Sequence, residues 1–291
     1  MISYAQNGED VILNRLFPSE YQGFYVDAGA AHPDVHSVTR HFYERGWRGI
    51  NIEPLRGFFD LLCQTRPEDV NINAALSDVT GSATLLTNPD SLGMSTLSAS
   101  WAAGAGAPKG HVPINVPVTT LSEVFTKHAL KSIDFLKIDV EGWERQVVAG
   151  VDWERWRPRV VLLEAHTDAD HDSWRELLES ARYSYGHFDG INRYYVRAED
   201  VSLLDRLRPP LSVLDDFVPH GFVEPLVVAH GQLSGLRPDC QGARATLEST
   251  MRAVGVAVPA GTEHPELVLT GWAPQLRAQL QRATRGRRSR R

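Results

Sequence analysis

The chain has 291 residues, of which 42% are hydrophobic and 23% charged, with a formal charge of −6 and two cysteines. That composition suits one large globular domain, or one domain with an appendage, and no run of 18 apolar residues marks a membrane span. Six arginines crowd residues 282–291, so residues 1–281 carry −12, which argues against nucleic acid as a partner because phosphate contact needs a basic face on the folded body.

Cys63 and Cys240 stand far apart, in no metal-ligand spacing, and read as free thiols. The first residues have neither the basic nor the apolar region of a secretory signal, so a cytoplasmic location is expected.

Strand and helix patterns alternate from about residue 20 to 182. Gly23-Phe24-Tyr25-Val26-Asp27-Ala28-Gly29-Ala30 is an apolar run ending in an acid and a tight turn, as a first strand entering the ligand crevice of an open α/β sheet should read. Residues 36–45 read as a helix closed by Gly46, residues 48–53 as a second strand ending in Glu53, and residues 56–65 as a helix stopped by Pro67. Residues 70–77 read as the third strand and 82–87 as a short extra one.

Residues 88–110 are rich in small residues and aperiodic, and read as a mobile lid over a ligand. Residues 132–139 give a fourth strand and 143–150 a helix. Residues 159–165, nearly all β-branched or leucine, read as a fifth strand buried on both faces, with residues 173–182 as its crossover helix. Residues 183–188 and 191–196, joined at Asp189-Gly190, read as a hairpin.

The expected fold class is therefore α/β: a mostly parallel, Rossmann-like sheet with a terminal antiparallel hairpin, the variant found in class I methyltransferases. Residues 1–200 would form that domain, residues 201–281 a C-terminal appendage with helices near 242–254 and 273–283, and residues 282–291 a flexible arginine-rich tail. The appendage is open to three roles: packing, acceptor binding, or the contact of a homodimer.

The turn after the first strand discriminates between adenosyl ligands. A dinucleotide calls for G-x-G-x-x-G, so that bare backbone can approach a pyrophosphate. Here the run is Gly29-Ala30-Ala31-His32-Pro33, with alanine in place of the second glycine and no nearby lysine or arginine. S-adenosylmethionine has no phosphate, and its sulfonium is drawn to carboxylates. On this reading Asp27 and Gly29 line its methionine portion, Glu53 its ribose, and Ser77 and Asp78 its adenine edge.

The assembled segments resemble the FkbM-type family of S-adenosylmethionine-dependent O-methyltransferases. They are Ser3-Tyr4-Ala5-Gln6-Asn7-Gly8-Glu9-Asp10, Val26-Asp27-Ala28-Gly29-Ala30, Gly46-Trp47-Arg48-Gly49-Ile50-Asn51-Ile52-Glu53-Pro54, Asn73-Ala74-Ala75-Leu76-Ser77-Asp78, Phe135-Leu136-Lys137-Ile138-Asp139-Val140-Glu141-Gly142 and Asp189-Gly190-Ile191-Asn192-Arg193-Tyr194-Tyr195. They span about residues 3–197 in order.

The resemblance implies methyl transfer to a sugar or polyketide hydroxyl, and further cofactor contacts from Gln6, Gly8, Glu9 and Asp10. Those four also suit a plain helix start with acids in its first turn. Within the family, the chain looks like actinobacterial members that methylate polysaccharides, which narrows the acceptor to the 1-hydroxyl of a mannoside.

Moving a methyl to a neutral hydroxyl needs a base, or a metal that acidifies the hydroxyl. Asp139 and Glu141 follow the fourth strand, while Glu164 and His166 end the fifth. Asp139 and Glu164 read as Mg²⁺ ligands, being hard oxygen donors, and His166 as the base, with an ordinary pKa suited to neutral pH. The plainer readings are an Asp139 that bonds its own turn and a surface His166. Trp101 would stack on a sugar face or anchor the lid. Asn192, Arg193 and Tyr194 would bond acceptor hydroxyls or simply decorate the hairpin. A catalytically inactive adenosyl- or glycan-binding module is the reading from another class.

Overall fold

The computed structural model describes residues 1–104, 107, 109–165 and 167–221. The twelve strands among them are β1 (Ile2–Ser3), β2 (Phe24–Ala28), β3 (Arg48–Ile52), β4 (Val70–Ile72), β5 (Ala75–Leu76), β6 (Gly81–Thr87), β7 (Val112–Thr119), β8 (Phe135–Ile138), β9 (Val160–Glu164), β10 (Tyr183–Phe188), β11 (Asn192–Arg197) and β12 (Val218–Pro219). The helices are α1 (Glu9–Asn14), α2 (Arg40–Glu44), α3 (Arg56–Thr65), α4 (Ala99–Ala102), α5 (Leu121–Lys127), α6 (Glu144–Ala149), α7 (Asp168–Ser180) and α8 (Leu204–Leu207), with short 3₁₀ turns between.

Seven strands form the main sheet in the order β10-β11-β9-β8-β2-β3-β4. β4, β3, β2, β8 and β9 run parallel, and the β10–β11 hairpin adds antiparallel to β9. From β2 the chain winds outward through β3 and β4, then returns to β8 on the other side. The strand order thus reverses between β2 and β8, where an open α/β sheet leaves a crevice at its carboxyl ends.

β8 is buried along its whole length and β9 along all but its last residue, as their runs of leucine and β-branched residues require. Their side chains join Val26, Ile50, Phe125 and Trp174 in the principal core. α7 starts at a capping box: the Thr167 hydroxyl accepts from the Asp170 amide while the Asp170 carboxylate accepts from Thr167.

The expected third strand breaks in two. Asn73 donates through Nδ2 to the carbonyls of Glu53 and Pro54, both at 2.9 Å, and the chain leaves the main sheet at Ile72. Ala75–Leu76 then joins a second sheet of order β5-β7-β6. The extra strand expected near 82–87 is β6, paired along its length with β7.

β7 itself escapes pattern reading because Pro113 and Pro117 interrupt it. Both are tolerated because β7 meets β5 only at Val118 and Thr119, which leaves the proline stretch an edge on that side. α5 also went unmarked, although its Thr120-Leu121-Ser122-Glu123 start is a capping signal; the Thr120 hydroxyl accepts from the Glu123 amide at 3.1 Å.

Two compact units divide the chain. Ile12–Pro210 holds both sheets, and its limit lies ten residues beyond the boundary expected at 200. Met1–Val11 groups with the described residues 211–221, which it meets in the parallel β1–β12 pair. The helices expected at 242–254 and 273–283 and the arginine-rich tail lie outside the described residues, as does Cys240; Cys63 is an exposed free thiol. Among the described residues no helix is long and apolar enough to cross a membrane.

Candidate active site

The carboxyl ends of β2, β3 and β8 meet at a pocket partly open to solvent, with about 620 Å³ of space when that open solvent is included. Gly29 and Ala31 from the β2 turn, Glu53 from the end of β3, and Asp139 and Glu141 from the β8 exit form its polar wall. Phe58, Leu76 and Leu97 are among its apolar lining.

The turn after β2 is closed on itself. The amides of Gly29 and Ala30 both donate to the Ile52 carbonyl, at 3.0 and 3.2 Å. The Ala31 amide donates to Glu53 Oε2 at 2.8 Å, and the Leu55 amide to Glu53 Oε1 at 2.7 Å. Each carboxylate oxygen of Glu53 keeps a further lone pair, so the residue can still accept from a ligand hydroxyl. Burial is the main cause that raises the Glu53 pKa to about 7.

Asp27 lies beneath the pocket wall, 1% exposed. Across the β2–β8 pair its register partner is Lys137, whose ammonium lies 3.2 Å from Asp27 Oδ1 and 3.2 Å from Asp139 Oδ2. The same ammonium donates to the Gly29 carbonyl at 2.8 Å. Thr39 Oγ1 donates to the other Asp27 oxygen at 2.8 Å and accepts in turn from the buried Arg66 at 2.6 Å. Asp27 therefore braces the turn from behind. Lys137 was missed in the sequence, although a cation inside a doubly covered strand signals a partner.

One oxygen each from Asp139, Glu141 and Glu164 lies within 4.8 Å of the others. The structure thus brings together the two expected metal ligands and the third acid. Asp139 also pairs with Lys137, a partner not expected for it. His166 lies outside the described residues.

Glu144, also missed, accepts through Oε1 from the amides of Val140 and Gly142, both at 3.1 Å, and so shapes the loop that carries Glu141. Burial is the main cause that raises its pKa from 4.5 to about 7. The folded state therefore favours the protonated acid, and this contribution to stability, full below pH 4.5, is lost as pH rises through about 7. Glu144→Gln keeps the acceptor oxygen but does not ionise. Denaturant curves should show the wild type losing roughly 2–3 kcal/mol relative to the variant between pH 4.5 and 8; parallel curves would remove the buried acid from the account.

Several other expected site residues are placed elsewhere. Ser77 accepts from Trp143 Nε1 at 3.1 Å and donates to Asp78 at 3.0 Å; both line a neighbouring groove that shares Trp143 and Leu97 with the pocket. Trp101 packs over Gly142, where an added Cβ would lie 2.7 Å from Trp101 Cδ1. Asn192, Arg193 and Tyr194 are buried rather than exposed. Asn192 Nδ2 and the Tyr194 hydroxyl donate to Asp189 at 3.1 and 2.7 Å, while Arg193 pairs with Asp168 at 2.8 Å and stacks on Phe188. Asp189 in the hairpin turn and Asp168 at the start of α7 thus engage donors expected to meet an acceptor.

Gln6, Gly8, Glu9 and Asp10 belong to the smaller unit. There Asp10 accepts from the Ser3 hydroxyl at 2.6 Å and the Tyr4 amide at 2.7 Å, and Glu9 from the Asn7 amide at 2.8 Å.

Comparison with known proteins covers the segments between residues 27 and 142 and leaves out those at 3–10 and 189–195. A family model, the methyltransferase FkbM domain, matches residues 27–185. Among solved structures the chain is similar to methyltransferase FkbM from Methylobacillus flagellatus KT, at 16% identity over 60% of this chain and 43% of that one, with a TM-score of 0.40. It is also similar to a fibrillarin pre-rRNA processing protein of Methanococcus jannaschii, at 10% identity over 62% of this chain and 69% of that one, with a TM-score of 0.35. The chain spans less than half the length of the first of these structures. No curated protein matches it. The matched segment covers more than half of the chain and contains Glu53, Lys137, Asp139, Glu141, Glu144 and Glu164, so the chain belongs to the FkbM methyltransferase family.

Proposed function

We propose that this chain transfers the methyl group of S-adenosylmethionine to a hydroxyl of a sugar or oligosaccharide, with the 1-hydroxyl of a mannoside as the narrower acceptor. The observation that carries the choice of cofactor is the closed turn after β2. The amides of Gly29, Ala30 and Ala31 all donate inward, to Ile52 and Glu53, so these three are not presented to a pyrophosphate. A phosphate-free adenosyl ligand suits that wall. Glu53 would accept from the ribose hydroxyls, the apolar lining around Phe58 and Leu97 would cover the adenine, and the carboxylates at the β8 exit would attract the sulfonium.

S-adenosylmethionine supplies an electrophilic methyl, so the protein must hold an acceptor oxygen in line with it and take its proton. We assign the proton to His166, two residues beyond Glu164. Asp139, Glu141 and Glu164 are three hard oxygen donors drawn together, a set that fits a small divalent cation such as Mg²⁺. That ion would lower the pKa of the acceptor hydroxyl.

Titration with S-adenosylhomocysteine, and labelled methyl transfer to short mannose oligosaccharides with a free reducing end, test the proposal. Glu53→Ala should weaken cofactor binding by roughly 1.5–3 kcal/mol, the range for a hydrogen bond to a charged group; unchanged affinity would remove Glu53 from the ribose. His166→Ala should lower kcat and spare that affinity, and full activity would place the base elsewhere. Chelation followed by Mg²⁺ should abolish and restore turnover, whereas indifference to chelation would leave the acid cluster a purely electrostatic role.

A further inference from the structure

We infer that Thr96 is a positioning residue that couples the segment over the cofactor pocket to the acidic loop carrying Glu141, an inference that rests on the methyltransferase reading of that pocket. Glu141 has a φ of +56°, in the left-handed region that a residue with a Cβ enters only when its surroundings hold it there. Glu144 fixes the peptide amides on either side, those of Val140 and Gly142. The Glu141 carbonyl is fixed from the opposite direction, by the Thr96 hydroxyl at 2.6 Å.

Thr96 is itself fully buried and tightly held. It forms an antiparallel bridge with Leu86, with backbone bonds of 2.8 and 3.0 Å, and its hydroxyl accepts from the Ser98 amide at 2.8 Å. Its neighbours Ser95 and Leu97 line the pocket, as do Leu92 and Gly93. Trp101 closes the same segment onto Gly142. One hydroxyl thus joins the pocket cover to the peptide whose twist aims the Glu141 carboxylate at Asp139 and Glu164. A displacement of residues 92–97 would in this way also displace the acid loop.

The deciding variants are Thr96→Val, which keeps the shape and deletes the hydroxyl, and Thr96→Ser, which restores it. Hydrogen exchange of the ligand-free protein should quicken roughly tenfold or more at residues 139–144 in Thr96→Val but not in Thr96→Ser, as expected when one hydrogen bond is lost from a local opening equilibrium. Unchanged exchange overturns the coupling.

With S-adenosylmethionine and the mannose oligosaccharides, Thr96→Val should lower kcat roughly ten- to a hundredfold, the scale of a misplaced catalytic group. Cofactor affinity should stay within about threefold and Thr96→Ser should recover, since the variant deletes no group assigned to the cofactor. Loss of affinity with kcat intact would assign Thr96 to the pocket wall and overturn the positioning role. If Thr96→Val does not fold, Thr96→Cys, with its weak donor, replaces it. Absence of methyl transfer by the wild type would sink the methyltransferase reading alone, because the exchange comparison uses neither cofactor nor acceptor.

Discussion

Gly29→Ala is expected to destabilise the protein by roughly 3–5 kcal/mol and to abolish cofactor binding, the sum of a steric clash and a left-handed backbone strain. Two independent features produce the loss. Gly29 has a φ of +78°, which an alanine adopts only at a cost. In addition, a Cβ at that position would stand 1.8 Å from the Asp139 carbonyl oxygen. That oxygen belongs to backbone at the β8 exit, so it cannot swing aside as a flexible side chain would.

Any relief must separate the β2 turn from β8. It would break the Lys137 bond to the Gly29 carbonyl and displace Asp139 from the acid cluster. Gly93→Ala is the matched control. Gly93 also lines the pocket, but its added Cβ would meet nothing within 4 Å and its φ is not strained. Urea denaturation and S-adenosylhomocysteine titration of both variants should separate them clearly. A Gly29→Ala protein with wild-type stability would show that the turn and β8 are not in close contact.

The parts of this architecture that could be read in advance are those in which a local pattern coincides with a long-range constraint. β9 is apolar at every position but its last because helices and sheet leave it no solvent face, so its run of valine and leucine announces a central parallel strand. That Glu53, Asp139, Glu141 and Glu164 lie together could be read in advance because each stands at or just past a strand exit, and the doubly wound order brings those exits together.

What stayed hidden depends on partners distant in sequence. Asn73 looks like one more strand residue until its amide is seen on two carbonyls some 20 residues back. Asn192, Arg193 and Tyr194 read as exposed polar groups because a hairpin normally has an outer face. Here their donors turn to Asp189 and Asp168. Glu144 reads as an ordinary acid in the first turn of a helix, favourable to the helix dipole; its work on the amides before it appears only when the loop folds back.

Lys137→Met is expected to cost roughly 3–5 kcal/mol, the scale for removing one partner from a buried ion pair. Methionine fills the space of the lysine stem, so the loss isolates the ammonium. Without it Asp27, 1% exposed and shielded from water, retains Thr39 as its hydrogen-bond donor but has no cation. Asp139, whose side chain is 32% exposed, can be hydrated and should contribute less. The Gly29 carbonyl also loses its donor, so the turn that Glu53 closes is loosened from its other side.

The charge argument is separable from the packing argument by a double-mutant cycle. Asp27→Asn removes the stranded charge and keeps an oxygen to accept from Thr39, so the pair Asp27→Asn and Lys137→Met should be more stable than Lys137→Met alone. If the double variant is instead less stable than Lys137→Met, a stranded Asp27 charge is not the source of the loss.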